Sequence, residues 1–404
     1  MGKLKRFVFV ALLAMGLVAC QNNNQHSINS EPGINQIQQI TEAESKSDDN
    51  QSQKDLEPSS ARVSESSVTE LDRGKVSESA VGEPVKSQTE TTFQKLSEAP
   101  VTLSAGQTPI TPWEYQKLLG KGMDVDWCKT SQGKEFYNEQ AVIDFKNAGV
   151  QHVRIRIKDK SDGELMSILD KQINDCLSNG LIPVIAYQAD EFKNEPSQEN
   201  IDKVVKWWTT IAERYKDKSY LLSFDLLIEA TDALNKQPEK LNEVYEKLVT
   251  AIRKTNPARI IMMSPRLRSD PAYLSELAIP SHHNGYMMAE WHFYAAGPSK
   301  DNERKLWTTG TDEEKQLVLE KIDYALQWQK DTGIATWVGA WMPGNYNDGD
   351  DYTIKEQVAF ATFMTDALVN AEIPFAVNSD TKFYNRETNK WDLKMQPVFE
   401  SIYK

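Results

Sequence analysis

Basic residues are in short supply in this chain: 46 Lys and Arg against 59 Asp and Glu leave a formal net charge of -13 over 404 residues. A surface of that sign repels phosphate backbones and argues against nucleic acid as a partner. Extended apolar runs are missing too. The run from Phe7 to Val18 is too short to cross a bilayer as a helix. Histidine is sparse, with only 5 in the chain. The adjacent pair His282-His283 follows Pro280 in a polar loop with no Cys or carboxylate at ligand spacing, so it reads as surface and no metal is expected there. Aromatic residues are nearly absent from the first quarter of the mature chain: between residues 21 and 105 only Phe93 occurs. Without apolar periodicity, that stretch lacks the material for a core.

What is present at the start is a leader. Met1-Gly2-Lys3-Leu4-Lys5-Arg6 precedes the apolar run, which closes on Leu17-Val18-Ala19-Cys20, the layout of a secretion signal over residues 1–19. Small residues running straight into a cysteine resemble a bacterial lipobox. That resemblance implies that Cys20 is the first mature residue, that it carries acyl chains, and that these fix the protein to a membrane. Residue 21 is Gln and not the aspartate linked with inner-membrane retention, so the expected location is the cell envelope, at the outer membrane. Residues 20–105 then form a disordered acidic tether. Its stretch from 21 to 105 carries 14 acids against 7 bases, and as a flexible coil would reach roughly 50 Å.

All 10 tryptophans and all 14 tyrosines lie from Trp113 onward, which sets residues 106–404 apart as one folded domain with ample length for a large core. Cys128 and Cys176 lie within it, and their spacing leaves both a disulfide and two free thiols open. Short β-rich runs alternate with stretches of helical period. The predicted strands are Gly122–Trp127, His152–Ile157, Ile182–Tyr187, Leu221–Ile228, Arg259–Ser264, Met287–Phe293, Ala335–Gly339 and Ile373–Val377. The predicted helices are Glu139–Ala148, Leu165–Ser178, Gln198–Lys216, Glu239–Thr255, Ala272–Leu277, Asp312–Lys330, Ile354–Val369 and Gln396–Tyr403. Eight βα units of this length predict an α/β fold of the (β/α)8 TIM-barrel type. A doubly wound open sheet is the alternative, but no Gly-rich phosphate turn follows the first strand.

In a TIM barrel the chemistry collects where strands end. Here strand four ends Phe224-Asp225-Leu226-Leu227-Ile228-Glu229-Ala230, strand six ends Trp291-His292-Phe293-Tyr294, and strand two carries Val153-Arg154-Ile155. In that order these motifs resemble glycoside hydrolase family 5, the cellulases, mannanases and related β-glycanases, over essentially all of residues 106–404. The resemblance implies Glu229 as general acid/base, Arg154 as the strand-two arginine, and His292 and Tyr294 as the strand-six pair. It also implies a β-linked polysaccharide as partner and no cofactor.

Other positions depart from the family pattern. The asparagine before the acid/base is Ile228, the histidine after strand three is Gln188, the strand-eight tryptophan is missing from Phe375-Ala376-Val377-Asn378, and the strand-seven nucleophile is Ala340, in Trp337-Val338-Gly339-Ala340-Trp341. Retaining hydrolysis needs two carboxyl groups about 5–5.5 Å apart, and alanine supplies none. Glu290, two residues before His292 and so on the same face of its strand, is the best substitute. Asp124 and Asp126, which alternate on strand one, are further candidates for holding a water, or else structural partners of Arg154 and Arg156. Alternatively, the domain keeps the glycan and loses hydrolysis, with Trp127 and Trp341, together with Tyr187, Trp291 and Tyr294, as aromatic walls. Trp207 and Trp208 read as helix packing. The loop Asn345-Tyr346-Asn347-Asp348-Gly349-Asp350-Asp351 is rich in oxygen ligands but lacks EF-hand spacing, and reads as a solvated turn.

Overall fold

The computed structural model describes residues 108–294, 307, 309–344 and 352–404. The leader, Cys20, the tether and the acidic loop at 345–351 lie outside the described residues.

Eight parallel strands close into a barrel in chain order: β1 Lys121–Cys128, β2 His152–Ile157, β3 Ile182–Tyr187, β4 Ser223–Asp225, β5 Ile261–Met263, β6 Met287–Tyr294, β7 Thr336–Met342 and β8 Phe375–Asn378. This is a TIM barrel, and the open-sheet alternative is excluded by the pairing of β8 with β1. The outer helices form because their apolar residues recur at helical spacing. Gln198–Arg214, for example, turns Ile201, Val204, Trp207, Trp208 and Ile211 inward, starting from a Ser197 side-chain cap. Trp207 and Trp208 are packing residues, as expected from their place in the helix.

The N-terminal end of the barrel is closed by the helix Pro112–Leu119, which begins with a capping box at Thr111. Its Tyr115 hydroxyl reaches Leu221 O and Ser223 Oγ, and Gln116 donates to Thr336 O. Above it, His152 sits between Leu119 O and the Trp337 indole N–H, at 2.7 and 3.1 Å. Burial pushes this imidazole down to about 4, so it is neutral, as a histidine that accepts from an indole must be.

Two strands are shorter than the sequence predicts by three residues or more. β4 stops at Asp225 and β5 at Met263. Past Asp225 the chain keeps only scattered bonds, Leu226 N to Met262 O and Ile228 N to Tyr187 O, before Glu229 turns left-handed at φ 54°. The helix expected over 272–277 is a 3-10 turn, Pro271–Glu276, started by the Asp270 side chain. A short hairpin, Tyr384–Asn385 with Lys390–Trp391, follows β8. The Tyr384 hydroxyl bonds Asp144, and Trp391 packs on Phe145 and Phe399. Cys128 and Cys176 are both buried free thiols.

Candidate active site

The interior of the barrel holds an ionic column that rises from β2 to the mouth. Arg154 is completely enclosed and meets three carboxylates: Asp225 at 2.8 Å, Glu290 at 2.6 Å and Asp124 at 3.7 Å. Arg156 approaches Asp124 from the next inward position of β2 at 3.4 Å. Buried charges of this kind persist only when paired, because desolvation costs several kcal/mol per ion. Burial and the neighbouring Glu290 push the Asp225 carboxyl up, while Arg154 and His292 offset the burial of Glu290 and hold it down.

His292 is the junction between that column and the mouth. It donates through Nε2 to Glu290 Oε1 at 2.6 Å and through Nδ1 to Glu229 Oε1 at 2.8 Å. Burial disfavours the imidazolium, but the two carboxylates outweigh it and raise His292 to about 9. Glu229 responds in the opposite sense. Burial would raise it, yet the bond and charge of His292, with help from Arg268 and Lys193, hold it at about 2. At neutral pH a carboxylate at the mouth, an imidazolium and a second carboxylate in the column below therefore stand in a row, with the ring's width between the acids.

The Glu229 side chain keeps 24 % of its surface exposed, whereas Glu290 keeps 0 %. Its backbone is held in the left-handed region, a strain of about 1–3 kcal/mol that surrounding bonds must sustain. Those bonds are visible. Ile228 N donates to Tyr187 O, Lys193 Nζ donates to Ile228 O, and Arg268 N donates to Ala230 O from another left-handed turn.

Ala340 stands at the same level. The β6–β7 ladder pairs Trp291 with Val338 and then His292 with Ala340, so Gly339 is an extra residue in β7. Without that bulge, strict alternation would turn Ala340 outward. With it, both Trp337 and Ala340 face the interior: Trp337 lies 5.8 Å below the Arg154 guanidinium, and Ala340 shares the face of His292. The methyl of Ala340 thus occupies an inward position at the end of β7, across the ring of strands from Glu229.

Glu229, Glu290, Arg154 and His292 are brought together as the sequence suggests. Gln188 stands just past β3, half-buried, with its Oε1 enclosed and unpartnered. Tyr294 ends β6, and its side chain lies outside what is described. Two expected wall residues are corrected. Trp127 is fully buried, packs on Tyr137 and Phe145, and donates its indole N–H to Asp380 at 3.1 Å. Trp341 is fully buried on the outer face of β7 between Phe360 and Phe375. Neither offers a ring face to a ligand, because strand alternation directs each toward the helical layer. Trp291 is buried likewise, and Tyr187 stacks on Trp207 at 4.0 Å. Of the strand-one pair, Asp124 joins the arginines of β2, while Asp126 pairs with Arg386 at 2.6 Å.

Sequence reasoning passed over Asp225, Lys193, Arg268 and the Arg386–Asp380 pair that meets Asp126. Asp225 had a signal, an acid inside an apolar strand opposite an arginine strand. Arg386 had none, because it arrives from a loop after β8. Among the described residues no group of three or more His, Cys, Asp or Glu is arranged to hold a metal.

Residues 116–375 match the family described as cellulase (glycosyl hydrolase family 5). The chain belongs to glycosyl hydrolase family 5. In class it is therefore a glycoside hydrolase. Endoglucanase H of Acetivibrio thermocellus is 24 % identical over 321 residues, covering 72 % of this chain and 34 % of that protein, so the chain spans about a third of the length of this relative. Among solved structures, Thermotoga maritima Cel5A in complex with cellobiose superposes with a TM-score of 0.64 at 21 % identity, covering 72 % of this chain and 99 % of the other. The cellulose synthase subunit Z of Clostridioides difficile superposes with a TM-score of 0.61 at 22 % identity, covering 71 % and 100 %.

Proposed function

We propose that the domain acts on the O-glycosidic bonds of a β-linked polysaccharide of the glucan or mannan type, held across the barrel mouth with a glycosidic oxygen at Glu229. The observation that carries this reading is Glu229 itself, a strained, partly exposed carboxylate in the segment that follows β4, clasped by His292. Strain and perturbed titration gather where a site is built for use. Solved complexes of Thermotoga maritima Cel5A with cellobiose and with mannotriose support the sugar class. Gln188, half-buried just past β3, is the polar side chain this reading sets beside a sugar hydroxyl.

A second reading, glycan binding without hydrolysis, draws on the methyl at Ala340 and on the enclosure of Glu290 between Arg154 and His292. One experiment separates them: incubation with β-glucans, mannans and xylans, measuring reducing ends and binding together, for the parent and for Glu229→Gln. Cleavage that Glu229→Gln abolishes supports hydrolysis. Retention without cleavage supports binding, and neither cleavage nor retention overturns both. We further propose display at the outer membrane of a bacterial envelope through lipid on Cys20, on the strength of the leader Leu17-Val18-Ala19-Cys20.

A further inference from the structure

Glu229 stands between two peptides that are each tied down from outside β4. On the near side, Ile228 N donates to Tyr187 O and Lys193 Nζ donates to Ile228 O. On the far side, Ala230 O accepts from Arg268 N at 3.0 Å. This second tie comes from a strained turn after β5. Leu267, Arg268 and Ser269 run in succession through the left-handed region, at φ 52°, 57° and 63°, with no glycine among them. Side chains with a Cβ avoid that region unless the surroundings enforce it. The ends of the turn are fixed by their own pairs, Arg266 to Glu276 at 2.6 Å and across the Tyr273 ring at 4.0 Å, and Asp270 to Lys321 at 2.6 Å. Its tip is tied to the segment that carries Glu229. Asn235, in the 3-10 turn Asp232–Lys236, accepts the Leu267 N–H through Oδ1 at 2.8 Å. That 3-10 turn is itself seated, with Leu234 fully buried and Asn235 N bonded to Thr231 O. A closed circuit results: from Ala230 along the chain to Asn235, across to Leu267, on to Arg268 and back to Ala230.

From this circuit we propose that Asn235 is a positioning residue, which through the left-handed turn after β5 sets Glu229 at the angle where its carboxylate meets both His292 and the bound β-glycan. The contact with sugar rests on the reading that a β-glycan lies in the mouth; the hold on Glu229 does not. Asn235 acts only through the backbone. Without its oxygen the Leu267 N–H loses its partner, and the turn can leave the left-handed region. Arg268 N then swings away from Ala230 O. Glu229, whose own backbone is left-handed at φ 54°, is no longer held from its far side and relaxes away from His292.

The test reads His292 in the full chain. Burial lowers this imidazole, and Glu290 and Glu229 outweigh burial and bring it to about 9. Glu290 is held separately by Arg154, and Asp225, Asp124, Lys193 and Arg268 are unaltered in every variant used, so the His292 midpoint reports the Glu229 carboxylate. NMR of histidine-labelled protein follows the titration, with His292→Gln assigning the signal. Affinity electrophoresis in β-glucan and mannan gels follows retention. Asn235→Ala should lower the midpoint by about 1 pH unit or more and weaken retention about 10-fold. Asn235→Asp, which keeps the acceptor oxygen, should leave the midpoint at or above that of the parent and retention near it. Asn235→Gln, whose amide reaches a methylene too far, is a second disrupting variant, and thermal melts establish that each one folds. Asn385→Ala removes the same type of bond, Thr388 N to Asn385 Oδ1 at 2.9 Å, in the hairpin after β8, and should not move His292. A midpoint unchanged in both Asn235→Ala and Asn235→Gln, or lowered equally by Asn385→Ala, overturns the role of Asn235 whatever retention shows. A midpoint that falls while retention by the parent is undiminished in the variant overturns the contact between Glu229 and sugar. A midpoint that falls when the parent itself retains no glycan supports the hold on Glu229 and overturns the glycan reading alone.

Discussion

Glu290 fills the place where a side chain at Gly339 would stand: a Cβ built on Gly339 lies 2.0 Å from Glu290 Oε1 and 2.6 Å from its Cδ. The bulge that aims Ala340 inward and the carboxylate that anchors His292 therefore share one requirement, a glycine in β7. Gly339→Ala must push Glu290 out of reach of Arg154 or His292. We expect a loss of about 3 kcal/mol or more, the scale of breaking a buried ion pair, measured as a drop in the urea midpoint. The same substitution at Gly163, where nothing lies within 4 Å, is the control and should leave stability nearly unchanged.

How far the molecule could be read from its sequence follows from which forces act locally. Strand and helix periods are local, so β2 and β3 coincide with their predicted limits and the helix Gln396–Tyr403 does too. The end of β4 was overrun because the residues after Asp225 remain apolar while the backbone leaves the ladder to position Glu229. Within the site, Arg154, His292 and Glu290 were legible by motif and alternation. Trp127 and Trp341 were not, since one bulge or one register step decides which face a strand residue takes. Arg386 was invisible because it reaches Asp126 from 260 residues away.

The His292 clasp makes a prediction about pH. His292 is raised from 6.5 to about 9, so its contribution to stability is complete below about pH 6.5 and is lost as pH rises through 9. Glu229 is lowered from 4.5 to about 2, so its contribution is present above 4.5 and is lost as pH falls through 2. The melting temperature of the parent minus that of His292→Gln should be largest between about pH 4.5 and 6.5 and shrink toward pH 9 and above. A difference that is flat from pH 5 to 9.5 would contradict a charged His292.

The corrected aromatic positions predict a separation of stability from binding. Trp341→Ala removes a fully buried ring between Phe360 and Phe375, and should cost about 3–5 kcal/mol in denaturant unfolding. Trp341→Phe should recover most of that and bind cello-oligosaccharides as the parent does, because the ring does not line the mouth. Gln188→Ala should do the reverse, shifting oligosaccharide retention about 3- to 10-fold with little change in the midpoint. Equal loss of retention in Trp341→Phe and Gln188→Ala would place Trp341 back at the ligand.

Cys20→Ser addresses the proposed anchor. Without an acyl acceptor the mature chain should appear in the soluble fraction or remain unprocessed, because stable membrane attachment needs the lipid. Fractionation followed by blotting reads this directly, and membrane association unchanged from the parent would remove the lipid from the account.

Ala340→Glu tests what the strand-seven methyl means. A carboxylate at this inward position would face Glu229 across the mouth, the arrangement that retaining hydrolysis requires with about 5–5.5 Å between the acids. The new side chain enters a position only 1 % exposed and beside His292, so it also competes with Glu229 for that imidazolium. Two effects follow, a second carboxylate and a Glu229 released toward an ordinary acid. Both favour cleavage of a β-linked bond. With dinitrophenyl β-cellobioside, whose leaving group needs no proton, kcat/KM should rise at least about 10-fold over the parent, since even weak nucleophilic assistance outruns water. The parent given azide should instead release dinitrophenolate with an α-glycosyl azide as product, the small anion attacking from the side of the methyl. If Ala340→Glu folds with a parent-like melt yet gains nothing, and azide also fails, then the methyl does not mark the open side of the sugar.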